Sequence, residues 1–260
     1  MIRVVGTETD SGRSACARWR QIVVGAVLTV VPVAAWAQVA MDGTRVVFPA
    51  SSKEVAVALT NASEVPVLVQ AWIGDEDAEQ APEASSAPFL VGPPLLRLEP
   101  GQKNQLRVLQ LREKAPTDDR EHLYWLNVMA VPPKSGQSGE NELNVMVRSR
   151  YKVLYRPAGL PKPPVDRTEG ITFTLQGDGE RRALKVTNAT PFYFNLGRIT
   201  LGDTGNEVEL DNPAVPPRQA VDIAVPAEAP ANPRNVRIEW IDDDGQLHPA
   251  TRTLDVATRP

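Results

Sequence analysis

The cations Arg150, Lys152 and Arg156 fall on one stretch of sequence, Asn141 to Pro157 (NELNVMVRSRYKVLYRP). Just before them Leu143, Val145 and Val147 alternate with Asn144, Met146 and Arg148. A period of two marks a β-strand with two distinct faces. A polar loop, Lys134 to Glu140, precedes the stretch, and a Pro-rich link, Pro157 to Pro164, follows it. A long strand between a loop and a stiff link leaves backbone N–H and C=O groups open at a sheet edge, ready to pair with another chain. The chemistry on offer is recognition through main-chain hydrogen bonds, with positive charge alongside.

Bond-breaking chemistry finds no comparable signal. His122 and His248 are the two histidines, and neither is spaced with Cys, Glu or another His as a metal site requires. No Gly-x-Ser-x-Gly, phosphate loop or Gly-x-Gly-x-x-Gly occurs. The paired carboxylates, Asp118–Asp119 and Asp242 to Asp244, lie next to turn signals. The sequence reads as that of a non-enzyme with no metal and no cofactor.

The elements that must position the cations are strands. Helical periodicity is scarce, whereas short apolar runs separated by Pro, Gly, Asn and Asp recur. They are Thr44–Phe48, Glu54–Thr60, Pro66–Ile73, Asn104–Gln110, Leu123–Val131 and Leu143–Tyr155, then Ile171–Gln176, Ala183–Asn188, Tyr193–Leu201, Ala220–Val225 and Val236–Ile241. The 24 prolines exceed the usual share and belong in turns, edges and links. This spacing predicts an all-β protein of Greek-key sandwiches. Asp75 to Pro88 reads as a solvated acidic loop, and the Asn-x-Ser/Thr sequences at Asn61 and Asn188 read as turns.

Residues 1–37 read as a signal peptide. Arg18 and Arg20 precede an apolar run, Ile22 to Val33, and Ala35-Trp36-Ala37 sets cleavage before Gln38. An uncleaved anchor is the alternative, but the run is short for a membrane span. The remaining residues, 38–260, suit two domains of about 110 residues each. Cys16, the one cysteine, falls in the removed segment, so the exported chain is held by its cores without a disulfide. The net charge of −4 becomes more negative once four arginines are removed against two acids, which excludes nucleic-acid binding by bulk charge.

Several motifs, in order, resemble one family. Thr44-Arg45-Val46-Val47-Phe48, Gln70-Ala71-Trp72-Ile73, Leu96-Arg97-Leu98-Glu99-Pro100-Gly101, Asp119-Arg120-Glu121 with Tyr124-Trp125-Leu126-Asn127-Val128, Lys152-Val153-Leu154-Tyr155-Arg156-Pro157 and Asn188-Ala189-Thr190-Pro191-Phe192-Tyr193 are similar to strands and turns of the periplasmic pilus (fimbrial) assembly chaperones, the PapD-like immunoglobulin-fold family. The resemblance implies two immunoglobulin-like β-sandwich domains set in an L with a cleft between them. The N-terminal domain would span 38–157 with its donor strand, and the C-terminal domain 158–260. It implies a periplasmic chaperone that folds and stabilises pilus subunits and delivers them to an outer-membrane usher.

By the same resemblance Arg45 and Lys152 bind the subunit's C-terminal carboxylate, and Leu143, Val145 and Val147 are donated to the subunit's open groove. Glu121, Arg156 and Asp243 would form an interdomain ion triad, with Asp242 and Asp244 as alternatives to Asp243. The short loop Pro132 to Asn141 resembles the short-loop subclass of rod-type pili. Gly92–Pro93 aligns with a bond that the family often holds cis, and Ala78 to Ala87 resembles an insertion away from the cleft. Lys152 has the opposite strand parity from Val147, which twist or a bulge would have to reconcile. The partners implied are pilus subunits, the usher and a self-capping homodimer; no nucleic acid or membrane insertion is implied after signal cleavage. The alternatives are a chaperone for a non-pilus fibre or spore coat, and an immunoglobulin-like structural surface subunit.

Overall fold

The computed structural model describes residues 39–77, 80–133, 145–177, 181–203 and 205–256. The expected signal peptide, Leu143 and most of the loop before the donor stretch lie outside them. The first nine strands are β1 (Val39–Met41), β2 (Arg45–Pro49), β3 (Glu54–Asn61), β4 (Val67–Gly74), β5 (Phe89–Gly92), β6 (Leu95–Leu98), β7 (Lys103–Gln110), β8 (His122–Val131) and β9 (Val147–Arg156). They form a four-stranded sheet, β1-β3-β7-β5, and a five-stranded sheet, β2-β9-β8-β4-β6. Period-two burial drives the pairing. Val67, Val69, Ala71 and Ile73 of β4 point inward, as do Val57 and Leu59 of β3. Phe48 of β2 meets Phe89 of β5 across the core with ring centroids 5.0 Å apart.

The second set comprises β10 (Ile171–Gln176), β11 (Ala183–Asn188), β12 (Leu196–Asp203), β13 (Asn206–Leu210), β14 (Ala220–Ala224), β15 (Asn235–Ile241), β16 (Leu247–Thr253) and β17 (Asp255–Val256). It forms the sheets β14-β11-β10-β17 and β13-β12-β15-β16 around a separate core that includes Phe173, Leu184, Ile199 and Leu201. The all-β architecture of two sandwiches is therefore as expected. The short strands β5 and β6, divided by Pro93-Pro94, and the edge strand β16, with its polar Leu-His-Pro-Ala-Thr-Arg-Thr pattern, carry too little apolar alternation to be read in advance. Tyr193 to Asn195, expected to begin a strand, precede β12; Phe194 makes an isolated bridge to Val215 instead.

One device is used in both sandwiches. Asn61 Nδ2 donates to the carbonyls of Val65, Leu98 and Glu99, while its Oδ1 accepts from Ser63 N and Oγ. Asn188 repeats this with the carbonyls of Phe192, Val215 and Pro216, and with Thr190 N and Oγ1. Both asparagines are buried, so these Asn-x-Ser/Thr sequences are structural turns.

Candidate binding site at the β2–β9 edge

Strand β9 has two neighbours of unequal reach. It pairs antiparallel with β8 from Val147 to Tyr155, but parallel with β2 only from Lys152 to Arg156. On the β2 side, Val147 to Tyr151 thus extend past the last strand pair that the described residues show. The β8 register runs without a break through this segment, so no bulge intervenes. Val147, Val153 and Tyr155 lie on the core-facing side, while Arg148, Arg150, Lys152, Leu154 and Arg156 lie on the other. The parity difference between Val147 and Lys152 is accommodated by opposite faces of one regular strand. Val145, just before the strand, is 54% exposed.

The cations on the outer face separate by partner. Arg148 lies 5.0 Å from the Trp72 ring and donates to Asn127 Oδ1 from Nε and Nη2. Arg150 lies 4.5 Å from the Trp125 ring, and its Nη2 donates to the carbonyls of Asp75 and Glu76. That last contact corrects the view of Asp75 to Pro88 as a merely solvated loop. Asp75 accepts from Gln80 and Ser86, a short 3-10 helix spans Pro82–Ala84, and Arg150 ties the start of the segment to the outer face of β9. Guanidinium donors need carbonyl acceptors, and the loop supplies them.

Lys152 is different. It stands beside Arg45 in the parallel register of β2 and β9. Its Nζ donates to a neutral acceptor, Asn195 Oδ1 of the second sandwich, at 2.7 Å. Burial, then the charge of Arg45, pulls the Lys152 ammonium down to about 8. Arg45 is also lowered by burial, against the opposing pull of Asp243, Asp242 and Glu121. Its Nε reaches Thr44 Oγ1 at 3.4 Å, and its Nη1 is sealed from solvent without a hydrogen-bond partner. Neither cation has a salt bridge among the described residues. A buried donor without an acceptor is rare and costly. Two neighbouring cations with open valence suit a carboxylate, which can accept from both.

The expected ion triad is brought together. Arg156 Nε donates to Glu121 Oε1 at 2.7 Å, and its Nη1 and Nη2 fork onto Asp243 at 2.8 and 2.7 Å. Asp242 is occupied otherwise, accepting from Asp244 N, Gln246 N and His248, which explains why its neighbour takes the arginine. Glu121 is almost fully buried; burial raises its pKa although Arg156 and the N–H of Tyr193 oppose this. Burial acts to raise Asp243 too, but the hydrogen bond and charge of Arg156, then of Arg167, hold it below the ordinary range.

The structure adds groups that the sequence did not disclose. Arg167, between β9 and β10, joins Asp243 at 2.8 Å, and Arg156 and Arg167 lie 5.4 and 5.6 Å from the Phe192 ring. Gly245, at φ 84°, lets the turn between β15 and β16 press against Thr44; a Cβ there would lie 2.4 Å from Thr44 Oγ1. That turn carries Asp243, so one loop of the second sandwich holds both the ion cluster and the residue beside Arg45. Asn195 lies in the expected strand Tyr193–Leu201 and Gly245 follows the aspartate run, but no local motif marks these two or Arg167 as part of a site.

Residues 38–161 match the family described as the pili and flagellar-assembly chaperone PapD N-terminal domain. Residues 166–252 match the pili assembly chaperone PapD C-terminal domain. The chaperone protein FimB/FhaD of Bordetella pertussis is 38% identical over 198 residues, covering 73% of this chain and 80% of that protein. Among solved structures, the CupB2 chaperone of Pseudomonas aeruginosa superposes with a TM-score of 0.69 at 33% identity, covering 83% of this chain and 100% of that one. A chain of the Salmonella enterica SafA pilin–SafB chaperone complex gives a TM-score of 0.69 at 31% identity, with 83% and 96% covered.

Proposed function

This chain belongs to the PapD family of pilus-assembly chaperones, and from that premise we propose that it captures pilus subunits in the periplasm by lending them the free edge of β9 while holding their C-terminal carboxylate between Arg45 and Lys152. Residues 1–37 act as the cleaved export signal, and the loaded chaperone hands its subunit to an outer-membrane usher. The observation that carries this reading is the run from Val147 to Tyr151, which pairs with no described strand on its β2 side and leads to a half-buried pair of cations. An incoming strand along that edge gains main-chain hydrogen bonds, the β-augmentation by which such chaperones complement pilins. Val145 and Val147, with Leu143 before them, offer apolar side chains to the client's groove. The cation pair sets the register, because a terminal carboxylate is the one anion fixed at the end of a chain.

The Glu121–Arg156–Asp243 cluster acts as a structural clamp. It binds the residue before β8, the end of β9 and the β15–β16 turn together and so keeps Lys152 facing the second sandwich. The brevity of the sequence between β8 and β9 supports the short-loop class. Free protein can also cap its own edge as a homodimer.

The test is co-expression of the mature chain with the subunit encoded beside it, comparing wild type with Arg45→Ala and Lys152→Ala. Soluble 1:1 complex should form with wild type and be lost in either folded variant. Equal capture by all three refutes the carboxylate anchor. No capture by wild type moves a structural surface subunit, or a chaperone for another fibre, to the front.

A further inference from the structure

We propose that Asn195 is a third binding group of the carboxylate site: its Oδ1 holds the Lys152 ammonium, and its Nδ2 donates to the bound carboxylate. The inference rests on the anchor reading and adds a residue to it from the second sandwich.

Asn195 is 4% exposed. Its own backbone is fixed, since its carbonyl accepts from Ile241 N at 2.9 Å, just before the turn that carries Asp243. The side-chain amide has only one workable orientation. An ammonium has donors and no acceptor, so the oxygen must face Lys152 and the NH2 must face away. That NH2 makes no hydrogen bond to any described residue, and it is not among the atoms sealed from solvent. It therefore stands open on the residue that holds the Lys152 ammonium, and neither Lys152 nor its register partner Arg45 has a salt bridge among the described residues. A carboxylate offers about four lone-pair sites, more than Arg45 and Lys152 fill as single donors.

The identity of the side chain matters as much as its place. An acid at this position would pair with Lys152 permanently and neutralise the site before a client arrives. An aliphatic residue would leave the ammonium unsatisfied in a half-buried setting. A neutral amide satisfies one N–H of Lys152, leaves its charge for the ligand and contributes a donor of its own.

The experiment measures calorimetric affinity of the mature chain for two synthetic peptides bearing the C-terminal strand of the adjacently encoded pilus subunit. One is the free acid and the other the C-terminal amide. The quantity read is the ratio of the two affinities, which a purely structural role would leave unchanged because both peptides would weaken alike. Wild type should favour the acid about tenfold or more, as charge-assisted bonds imply. Asn195→Ala should reduce that ratio several-fold. Asn195→Asp, nearly identical in shape and so a safeguard against misfolding, should bring it to about one. An unchanged ratio in either variant overturns the assignment of Asn195 while leaving the anchor intact. A ratio of about one in wild type overturns the anchor itself, and Asn195 with it.

Discussion

Arg156→Ala is the perturbation whose size the structure defines best. The guanidinium serves two carboxylates with different fates. Asp243 is about one-third exposed and keeps Arg167 at 2.8 Å, so its loss is small. Glu121 has a side chain only 1% exposed and, among the described residues, keeps the N–H of Tyr193 alone. Removing one partner of a buried pair typically costs about 3–5 kcal/mol, because an uncompensated charge is left behind. Loss of the cation over Phe192 adds about 0.5–1 kcal/mol. Together about 3.5–6 kcal/mol, at about 2–4 °C per kcal/mol for a chain of this size, should lower melting by about 7–24 °C.

The loss also has a pH signature. Without Arg156 the folded pKa of Glu121, already raised by burial, rises further. A raised carboxyl contributes stability below its unfolded pKa and loses it as pH rises through the folded value. The penalty should therefore be larger at about pH 8 than at about pH 5. The double variant with Glu121→Gln should recover more than half of the loss, since no buried charge remains. Calorimetry and small-angle scattering on the mature chain provide the readout. Unchanged melting and an unchanged scattering profile in Arg156→Ala would refute the clamp.

Three further outcomes follow from the same geometry. Lys152 titrates near 8, so subunit affinity should be greatest below that pH and fall as the ammonium is lost above it; Lys152→Arg should flatten the profile, and a flat wild-type profile argues against the anchor. Val145→Lys should leave melting within about 0.5 kcal/mol, as expected for an exposed site, yet reduce recovered subunit complex several-fold; full recovery would remove Val145 from the donated set. Asn188→Ala strips donors from the carbonyls of Phe192, Val215 and Pro216 and should cost about 2–3 kcal/mol in urea unfolding; a cost below about 0.5 kcal/mol would show that water replaces the amide.

Sequence alone determined what period-two patterning and ordered motifs encode. Alternation of Val67, Val69, Ala71 and Ile73 announces a half-buried strand whatever surrounds it. The stretch around Lys152 declares itself by cations and apolar residues on one strand, and the resemblance supplies Arg45, which no local pattern singles out. Tertiary structure decided which groups meet. Arg150 and Lys152 are equivalent in sequence, two residues apart on one face, yet Trp125 and a loop backbone engage the first and a neutral amide the second. Three consecutive aspartates are indistinguishable on paper; the turn consumes Asp242 and delivers Asp243 to Arg156. Arg167, Asn195 and Gly245 escaped notice because their partners lie far off in sequence. Periodicity reports how one strand faces its own core, whereas a charge is left open or neutralised according to what a distant segment brings beside it.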